Sequence, residues 1–284
     1  DMIRDHFCGN QFDMCTIING KSGLCSENCK FCAQSSHYNT GSKVYSLLSE
    51  EEILADAKKN ADQGVMRYSI VTAGRSLSDG EVDRMCQIIR RIKEEVHISV
   101  CVSFGLLKEA QFRRLKEAGA ERVHNNLEAS ENFFPSVCTS HSFSDKVQAI
   151  RAAQAAGLDV CSGGIMGLGE GIEDRIDMAL SLRDLGIESI PVNMLNPIPG
   201  TPMEKYESLD EKEMQRIIAV YRFILPKAFI RLAGGRGLMR DKGKACFMSG
   251  ANAAISGDML TTAGITVDKD KKLLEELDYM IKPL

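Results

Sequence analysis

Residues 25–32 read Cys25-Ser26-Glu27-Asn28-Cys29-Lys30-Phe31-Cys32, so three cysteines are spaced at i, i+4 and i+7. Thiolates are preferred ligands of iron–sulfur clusters and of zinc, and the polar residues after Gly23 predict a loop that wraps around one centre. A four-iron cluster takes four ligands, so three cysteines leave one iron open for a group that is not protein. A structural zinc site with a distant fourth cysteine is the alternative, although such sites usually have two-residue gaps.

The composition indicates a soluble enzyme-sized protein with a substantial core. The chain has 284 residues, 44% hydrophobic content and a formal net charge of −4, which does not support a nucleic-acid partner. No apolar run approaches the length of a bilayer span and no signal-peptide pattern opens the chain, so a cytoplasmic protein without a membrane partner is expected. Ten cysteines in a reducing compartment indicate metal binding rather than disulfides.

Helical and strand patterns alternate along the chain. Helices are predicted at about 49–61, 78–95, 107–118, 143–156, 172–185 and 210–224, and strands at 66–72, 97–103, 121–128, 158–165, 187–194 and 227–233. A further helix–strand pair at 241–257, and a first strand at 15–20 or 28–34, give about eight units. We therefore predict an α/β fold, a (β/α)₈ TIM barrel, formed as one domain over residues 1–284 with an N-terminal segment at 1–24. An incomplete barrel of six strands is the alternative.

Polar residues interrupt the predicted strands, although buried strands of a parallel barrel should be apolar. A polar group that faces the barrel interior needs a partner or costs free energy. Because such residues recur on successive strands, they predict a polar pocket inside the barrel. The residues are Cys101, Asn126, Glu128, Cys161, Asn193 and Arg231.

The cysteine loop resembles the C-x-x-x-C-x-x-C signature of the radical S-adenosylmethionine enzymes. Ser22-Gly23 before the loop and Cys32-Ala33-Gln34-Ser35 after it are similar to the biotin synthase family within that group. The resemblance implies a radical S-adenosylmethionine barrel in which Cys25, Cys29 and Cys32 bind a [4Fe–4S] cluster. The open iron would bind S-adenosylmethionine, whose reductive cleavage gives a 5′-deoxyadenosyl radical.

The resemblance extends over nearly the whole chain. The similar segments are Val160–Glu170, a glycine-rich stretch beside S-adenosylmethionine; Asn125–Glu128, close to the family's N-H-N-L-D; Pro191–Leu195, whose Asn holds the substrate's ureido ring; Ala245–Asn252; and Leu260–Thr262, near the substrate carboxylate. It implies catalytic or substrate roles for Asn126, Asn193 and Arg231. It implies cofactor-binding roles for Thr72, Asn126, Glu128, Lys146, Gly164 and Val192.

The family also holds a second cluster, the source of the inserted sulfur, and here the chain departs from the pattern. The resemblance assigns Cys101, Cys161 and Arg231 to a [2Fe–2S] cluster, but Ser69 stands at the third cysteine position. Cys8 and Cys15 would bring the thiolates to four, the usual number for a four-iron cluster, with Arg231 as a stabilising neighbour. The alternative is that Cys8 and Cys15 are spare thiols. Cys86, Cys138 and Cys246 are expected to be structural.

The implied reaction inserts cluster sulfur into dethiobiotin to form biotin, a sulfurtransferase activity. The implied partners are dethiobiotin, S-adenosylmethionine and an electron donor such as flavodoxin or ferredoxin, and a homodimer is expected. Two other functions remain open: a relative such as the hydrogenase-maturation enzyme, with the same first cluster and another substrate, and a zinc-stabilised binding protein built on a barrel.

Overall fold

A computed structural model describes residues 1–282, so the last two residues of the predicted domain lie outside the described part. The strands are β1 (Gln11–Lys21), β2 (Arg67–Thr72), β3 (Ser99–Ser103), β4 (Arg122–His124), β5 (Asp159–Cys161), β6 (Gly164–Met166), β7 (Ser189–Met194), β8 (Phe229–Leu232), β9 (Ala253–Ser256) and β10 (Met280–Ile281). The helices are α1 (Met2–Cys8), α2 (Glu50–Asp62), α3 (Asp79–Glu95), α4 (Glu109–Glu117), α5 (Phe134–Val137), α6 (Phe143–Ala155), α7 (Ile172–Asp184), α8 (Glu211–Ile224), α9 (Lys244–Met248) and α10 (Val267–Glu276).

The strands form a closed parallel barrel. They are ordered β1-β2-β3-β4-β5-β7-β8-β9, and β1 pairs with both β2 and β9, which closes the sheet. The short strands β5 and β6 follow one another along the same side of β7. Together they take the place of one strand in an eight-stranded barrel. The predicted (β/α)₈ fold is confirmed, and the first strand is the one predicted near residues 15–20.

The helices begin where the sequence supplies capping residues. Ser49 accepts a hydrogen bond from the backbone N–H of Glu52, whose side chain accepts one from the N–H of Ser49 in return. Ser78 and Glu81 form the same capping box at the start of α3, an arrangement that satisfies backbone donors which the helix leaves unpaired. The apolar face of α3 then packs on the barrel. Its buried residues are Val82, Met85, Cys86, Ile88, Ile89 and Ile92.

Side chains alternate between the barrel interior and the surrounding core, as the two-residue period of a strand requires. On β2, Arg67 and Ser69 line an interior cavity, whereas Tyr68 and Ile70 belong to the hydrophobic core. The polar residues of the strands therefore share one compartment instead of being scattered over the surface. No helix among residues 1–282 is long and apolar enough to cross a membrane.

Candidate active site in the barrel

A cavity of about 390 Å³ lies inside the barrel and opens towards the cysteine loop. The loop follows β1, so it lies at the carboxyl end of the strands, where barrels of this type place their active sites. Twelve of the predicted site residues line the cavity: Cys15, Cys25, Cys29, Cys32, Thr72, Cys101, Asn126, Glu128, Lys146, Cys161, Asn193 and Arg231. Gly164, Val192 and Cys8 are not among the lining residues.

The loop holds its three cysteines by backbone hydrogen bonds. The N–H of Cys25 donates to the carbonyl of Gln34 at 3.0 Å, and the N–H of Cys32 donates to the carbonyl of Cys29 at 3.0 Å. Gly23 precedes them with φ of 76°, where a Cβ atom would lie 2.7 Å from Val44. The result is three half-buried thiols facing one cavity, a donor set that fits an iron–sulfur cluster with an open iron.

A second group of thiols lies deeper in the barrel. Cys15, Cys101 and Cys161 are on β1, β3 and β5, and all three are buried and line the cavity. Arg231, which is 1% exposed, donates to the sulfur of Cys15 at 3.3 Å. Three thiols that converge from different strands fit a metal cluster better than a purely structural role, because isolated buried cysteines pack among apolar groups.

Cys8 does not join this group, so the predicted set of four thiolates is not brought together. It ends α1, before β1 begins, and its sulfur lies against the guanidinium of Arg222 at 3.6 Å. It also lies 3.6 Å from the carbonyl of Lys227. Cys8 therefore lies outside the cavity that Cys15 lines. Ser69 instead lies beside Cys101, its register partner on the neighbouring strand.

The surroundings of the three deep thiols affect their ionisation differently. Burial opposes ionisation of Cys161, but the hydrogen bond and charge of His124, with Arg231 and Arg122, outweigh it and lower the pKa of this thiol to about 6. Burial and the neighbouring Cys161 raise the pKa of Cys101 to about 12. Burial also raises the pKa of Cys15, so His124 and the arginines favour the thiolate of Cys161 alone among the three deep thiols.

Asp13, Arg67 and Arg122, which lie close to the predicted Arg231, were missed by the sequence interpretation. Asp13 is fully buried and accepts from Arg231 at 2.5 Å, with Arg122 at 3.4 Å from the same oxygen. Burial opposes ionisation of Asp13, but Arg231, Arg67 and Arg122 outweigh it and hold its pKa below the ordinary value. The rule that singled out Cys101 would have found these residues too, since all lie on buried strands.

We expect Asp13→Asn to destabilise the fold by about 3–5 kcal/mol, because it leaves buried guanidinium groups without their counter-charge. Urea unfolding under anaerobic conditions measures the change, and Asp184→Asn, at an exposed ion pair, is the control with an effect within about 0.5 kcal/mol. Since the folded pKa is lowered, the contribution is present at neutral pH and is lost as pH falls through that folded pKa. A loss below about 1 kcal/mol would contradict the paired role.

The upper part of the cavity carries amides and a carboxylate. Asn126 accepts from the N–H of Gly163 at 3.1 Å and donates to Glu128 at 3.3 Å. Asn193 accepts from the N–H of Gly234 at 2.8 Å and donates to the carbonyl of Gly164 at 3.0 Å. Each amide thus keeps one donor and one acceptor for a ligand.

Backbone geometry places Glu128 at the mouth of the barrel. Strand β4 ends at His124, earlier than predicted, and Glu128 has φ of 70°, a conformation uncommon outside glycine and frequent at binding sites. Gly164 lies alongside Glu128, and a Cβ atom at Gly164 would lie 2.6 Å from the carbonyl oxygen of Glu128. Burial raises the pKa of Glu128 despite the charge of Lys146. Gly164 pairs with Glu128 and with Val192, its register partner on β7, so both residues support the wall that Glu128 and Asn193 present to the cavity.

Comparisons with known proteins match both halves of the barrel. A model of the radical S-adenosylmethionine superfamily matches residues 21–182, and a model of the biotin and thiamin synthesis associated domain matches residues 191–280. A biotin synthase from Brachyspira hyodysenteriae is 62% identical over 280 residues, which cover 99% of this chain and 84% of the relative. The chain belongs to the biotin synthase family. A second member, from Akkermansia muciniphila, is 57% identical and covers 99% of this chain and 87% of the relative.

Membership implies a [4Fe–4S] cluster, S-adenosylmethionine and dethiobiotin for this enzyme. The three loop thiols fit that cluster, so the zinc alternative is set aside. Methylornithine synthase shares the fold with a TM-score of 0.81 at 23% identity, covering 99% of this chain and 86% of the other. The hydrogenase maturase HydG from Carboxydothermus hydrogenoformans shares the fold with a TM-score of 0.83 at 19% identity. The match covers 99% of this chain and 70% of the maturase. These likenesses concern the fold alone, so the relatives in sequence decide for biotin synthase over a maturase.

Proposed function

We propose that this member of the biotin synthase family works through two clusters in one cavity, with Cys25, Cys29 and Cys32 holding the first and the deep thiols holding the second. The observation that carries the proposal is that both groups of thiols line the same cavity of about 390 Å³. When bound, the clusters and S-adenosylmethionine supply the radical and the sulfur that acid–base chemistry cannot provide. The protein's own part is to hold these groups and dethiobiotin close together in the orientation that the reaction needs, and to keep water out.

Reconstitution tests the proposal directly. The anaerobically loaded protein, given dethiobiotin, S-adenosylmethionine and a reductant, should form biotin and 5′-deoxyadenosine. An iron count distinguishes the second cluster, because two four-iron clusters give about eight irons per chain whereas a [2Fe–2S] partner gives about six. Biotin formation without a second cluster would overturn the proposal.

For S-adenosylmethionine, we assign Thr72, Asn126, Glu128 and Lys146 as contacts, and Gly164 and Val192 as supporting backbone. Glu128 can accept hydrogen bonds from ribose hydroxyls, as carboxylates do in dinucleotide sites. Lys146 is held by Asn125 at 3.3 Å, which keeps its charge near this carboxylate. The glycine at 164 allows the backbone to approach a ligand closely.

For the second cluster, we propose Cys15, Cys101 and Cys161 as ligands and favour the four-iron type, with [2Fe–2S] as the alternative. Arg231 is assigned as a counter-charge, because its guanidinium already donates to both the carboxylate and the carbonyl of Asp13 and to the carbonyl of Ala254. A guanidinium committed to three oxygen atoms supports anionic sulfur without binding iron. Ser69, the register partner of Cys101 on β2, offers a hydroxyl oxygen beside that thiol.

Asn193 is proposed to hold the ureido ring of dethiobiotin, since its remaining donor and acceptor match one edge of a cyclic urea. We expect Asn193→Ala to weaken dethiobiotin binding by about tenfold or more, the effect of removing one partner of a buried polar group. Asn193→Asp, which keeps the acceptor for Gly234 but lacks the donor, should behave similarly. Equilibrium binding of dethiobiotin to the loaded enzyme measures the change, with the exposed Asn132→Ala as control. Unchanged affinity in both Asn193 variants would place the ureido ring elsewhere.

Further properties are proposed from the sequence. We propose a flavodoxin or ferredoxin as electron donor, a homodimer as the assembly, a cytoplasmic location, and residues 1–284 as one domain. The closed barrel supports the last of these, because the superfamily match at 21–182 and the match at 191–280 each supply only part of its strands.

A further inference from the structure

A short segment outside the assigned site, residues 137–141, is hydrogen-bonded to the cysteine loop. The N–H of Lys30 donates to the carbonyl of Val137 at 3.0 Å. The side-chain oxygen of Asn28 accepts from the N–H groups of Thr139 and Ser140, both at 3.0 Å. Residues 27–30 are therefore fixed against residues 137–141, which include one more cysteine.

That cysteine, Cys138, is 3% exposed and lies against a loop thiol. While Cys29 is protonated, its thiol donates to the sulfur of Cys138 across 3.6 Å. The thiol of Cys138 donates to the side-chain oxygen of Asn28 at 3.4 Å, and its sulfur lies 3.3 Å from Nδ1 of His141. Cys138 is thus surrounded by polar atoms, unlike Cys86, which lies in the hydrophobic core.

A buried carboxylate anchors this group. Oε2 of Glu27 lies 2.5 Å from Nδ1 of His141 and accepts from Ser140 at 2.8 Å and from Arg75 at 3.2 Å. Several donors on one oxygen hold the imidazole in place. The imidazole in turn fixes the position of the sulfur of Cys138, because that sulfur contacts the same ring nitrogen.

The sulfur pair is attractive only if it shares a proton, since two thiolates at this distance would repel. An iron-bound Cys29 carries no proton and can only accept, so the contact reverses and the single proton of Cys138 turns from Asn28 to Cys29. We propose that the thiol of Cys138 donates a hydrogen bond to the sulfur of Cys29 and raises the reduction potential of the [4Fe–4S] cluster. This inference rests on the proposed function, because it requires Cys29 to be a cluster ligand.

The physical reason is that reduction adds negative charge to the cluster and its sulfur atoms, and a donor to one sulfur stabilises the reduced form. Cys138 is accordingly a positioning residue that acts through Cys29. Loss of one weak hydrogen bond to a charged acceptor corresponds to about fivefold to tenfold in the reduction equilibrium constant. Tenfold is about 59 mV for a one-electron couple.

The experiment is an EPR-monitored redox titration of the anaerobically loaded full-length protein. The signal that changes on addition of S-adenosylmethionine identifies the cluster concerned. Cys138→Ala and Cys138→Val, the second close in volume to cysteine, both remove the donor and should lower the midpoint potential. Cys138→Ser restores a donor and should remain nearer the native value. Cys86→Ala, another buried cysteine, is the matched control and should not change the potential.

A native potential in either apolar variant would overturn the inference, and so would an equal shift in the serine variant. If the native protein has a cluster that responds to S-adenosylmethionine while the apolar variants keep its potential, the proposed function stands and this inference fails. Absence of any such cluster from the fully loaded native protein would overturn both. A second measurement on the native protein needs no mutation: in D₂O, an exchangeable deuteron should couple to the reduced cluster, and this coupling should be missing in Cys138→Val.

Discussion

Replacement of Cys29 by alanine should abolish reductive cleavage of S-adenosylmethionine and, with it, biotin formation. The loop supplies only three thiols to the cavity, and a cubane cluster with one open iron needs all three. Removing any one leaves too few ligands, so Cys25→Ala and Cys32→Ala should have the same effect. The expected loss is at least about a thousandfold, because the hard chemistry belongs to the bound cofactors. Formation of 5′-deoxyadenosine, measured by chromatography, tests it.

The control must separate a lost ligand from a damaged fold. Cys246→Ala removes another buried thiol, which lies on α9 outside the cavity, and should retain cleavage. Because the loop is also held at Asn28 and Lys30 by residues 137–141, the Cys29 variant should keep its barrel and its thermal stability. Retained 5′-deoxyadenosine formation in a folded Cys29→Ala protein with full iron content would contradict the assignment of the loop.

Much of the barrel follows from local patterns. Serine followed by glutamate three residues later marks the starts of α2 and α3, and alternating helices and strands require a parallel sheet. The polar residues on strands were informative for the same reason: a strand has only two faces, so Cys101 and Cys161 had to face either the helices or the interior. Because polar residues recur on successive strands, they can satisfy one another only if they share the interior.

Other parts of the site had no local signal. The sequence placed Cys8 and Cys15 together as possible ligands, but only the register of β1 with β2 and β9 separates them. The contact between Glu27 and His141 joins residues 114 positions apart. Neither residue lies in a periodic pattern that predicts the other. Such contacts depend on the closure of the barrel, a long-range property that spacing along the chain does not encode.

Cys15→Ala should lose the iron of the second cluster and all biotin formation, while cleavage of S-adenosylmethionine continues. Cys15 lies in the deep group with Cys101 and Cys161, and its sulfur accepts from the buried Arg231 at 3.3 Å. A cluster bound by three thiols from three strands cannot keep its place with two. The loop cysteines are on a different segment, so the first cluster should remain. Iron content, biotin and 5′-deoxyadenosine are measured on the same anaerobic preparation.

Cys8→Ala is the matched control, because Cys8 was the other candidate ligand on the N-terminal segment. Its sulfur contacts Arg222 and backbone carbonyls and lies outside the cavity, so its removal should leave both clusters and biotin formation intact. Equal loss of iron in the Cys8 and Cys15 variants would instead support four thiolates and require the N-terminal helix to move on cluster binding. Full activity in the Cys15 variant would leave Ser69 and Arg231 as the groups that complete a smaller cluster with Cys101 and Cys161. The two variants together therefore decide between three arrangements, and the structure favours the one in which only Cys15 matters.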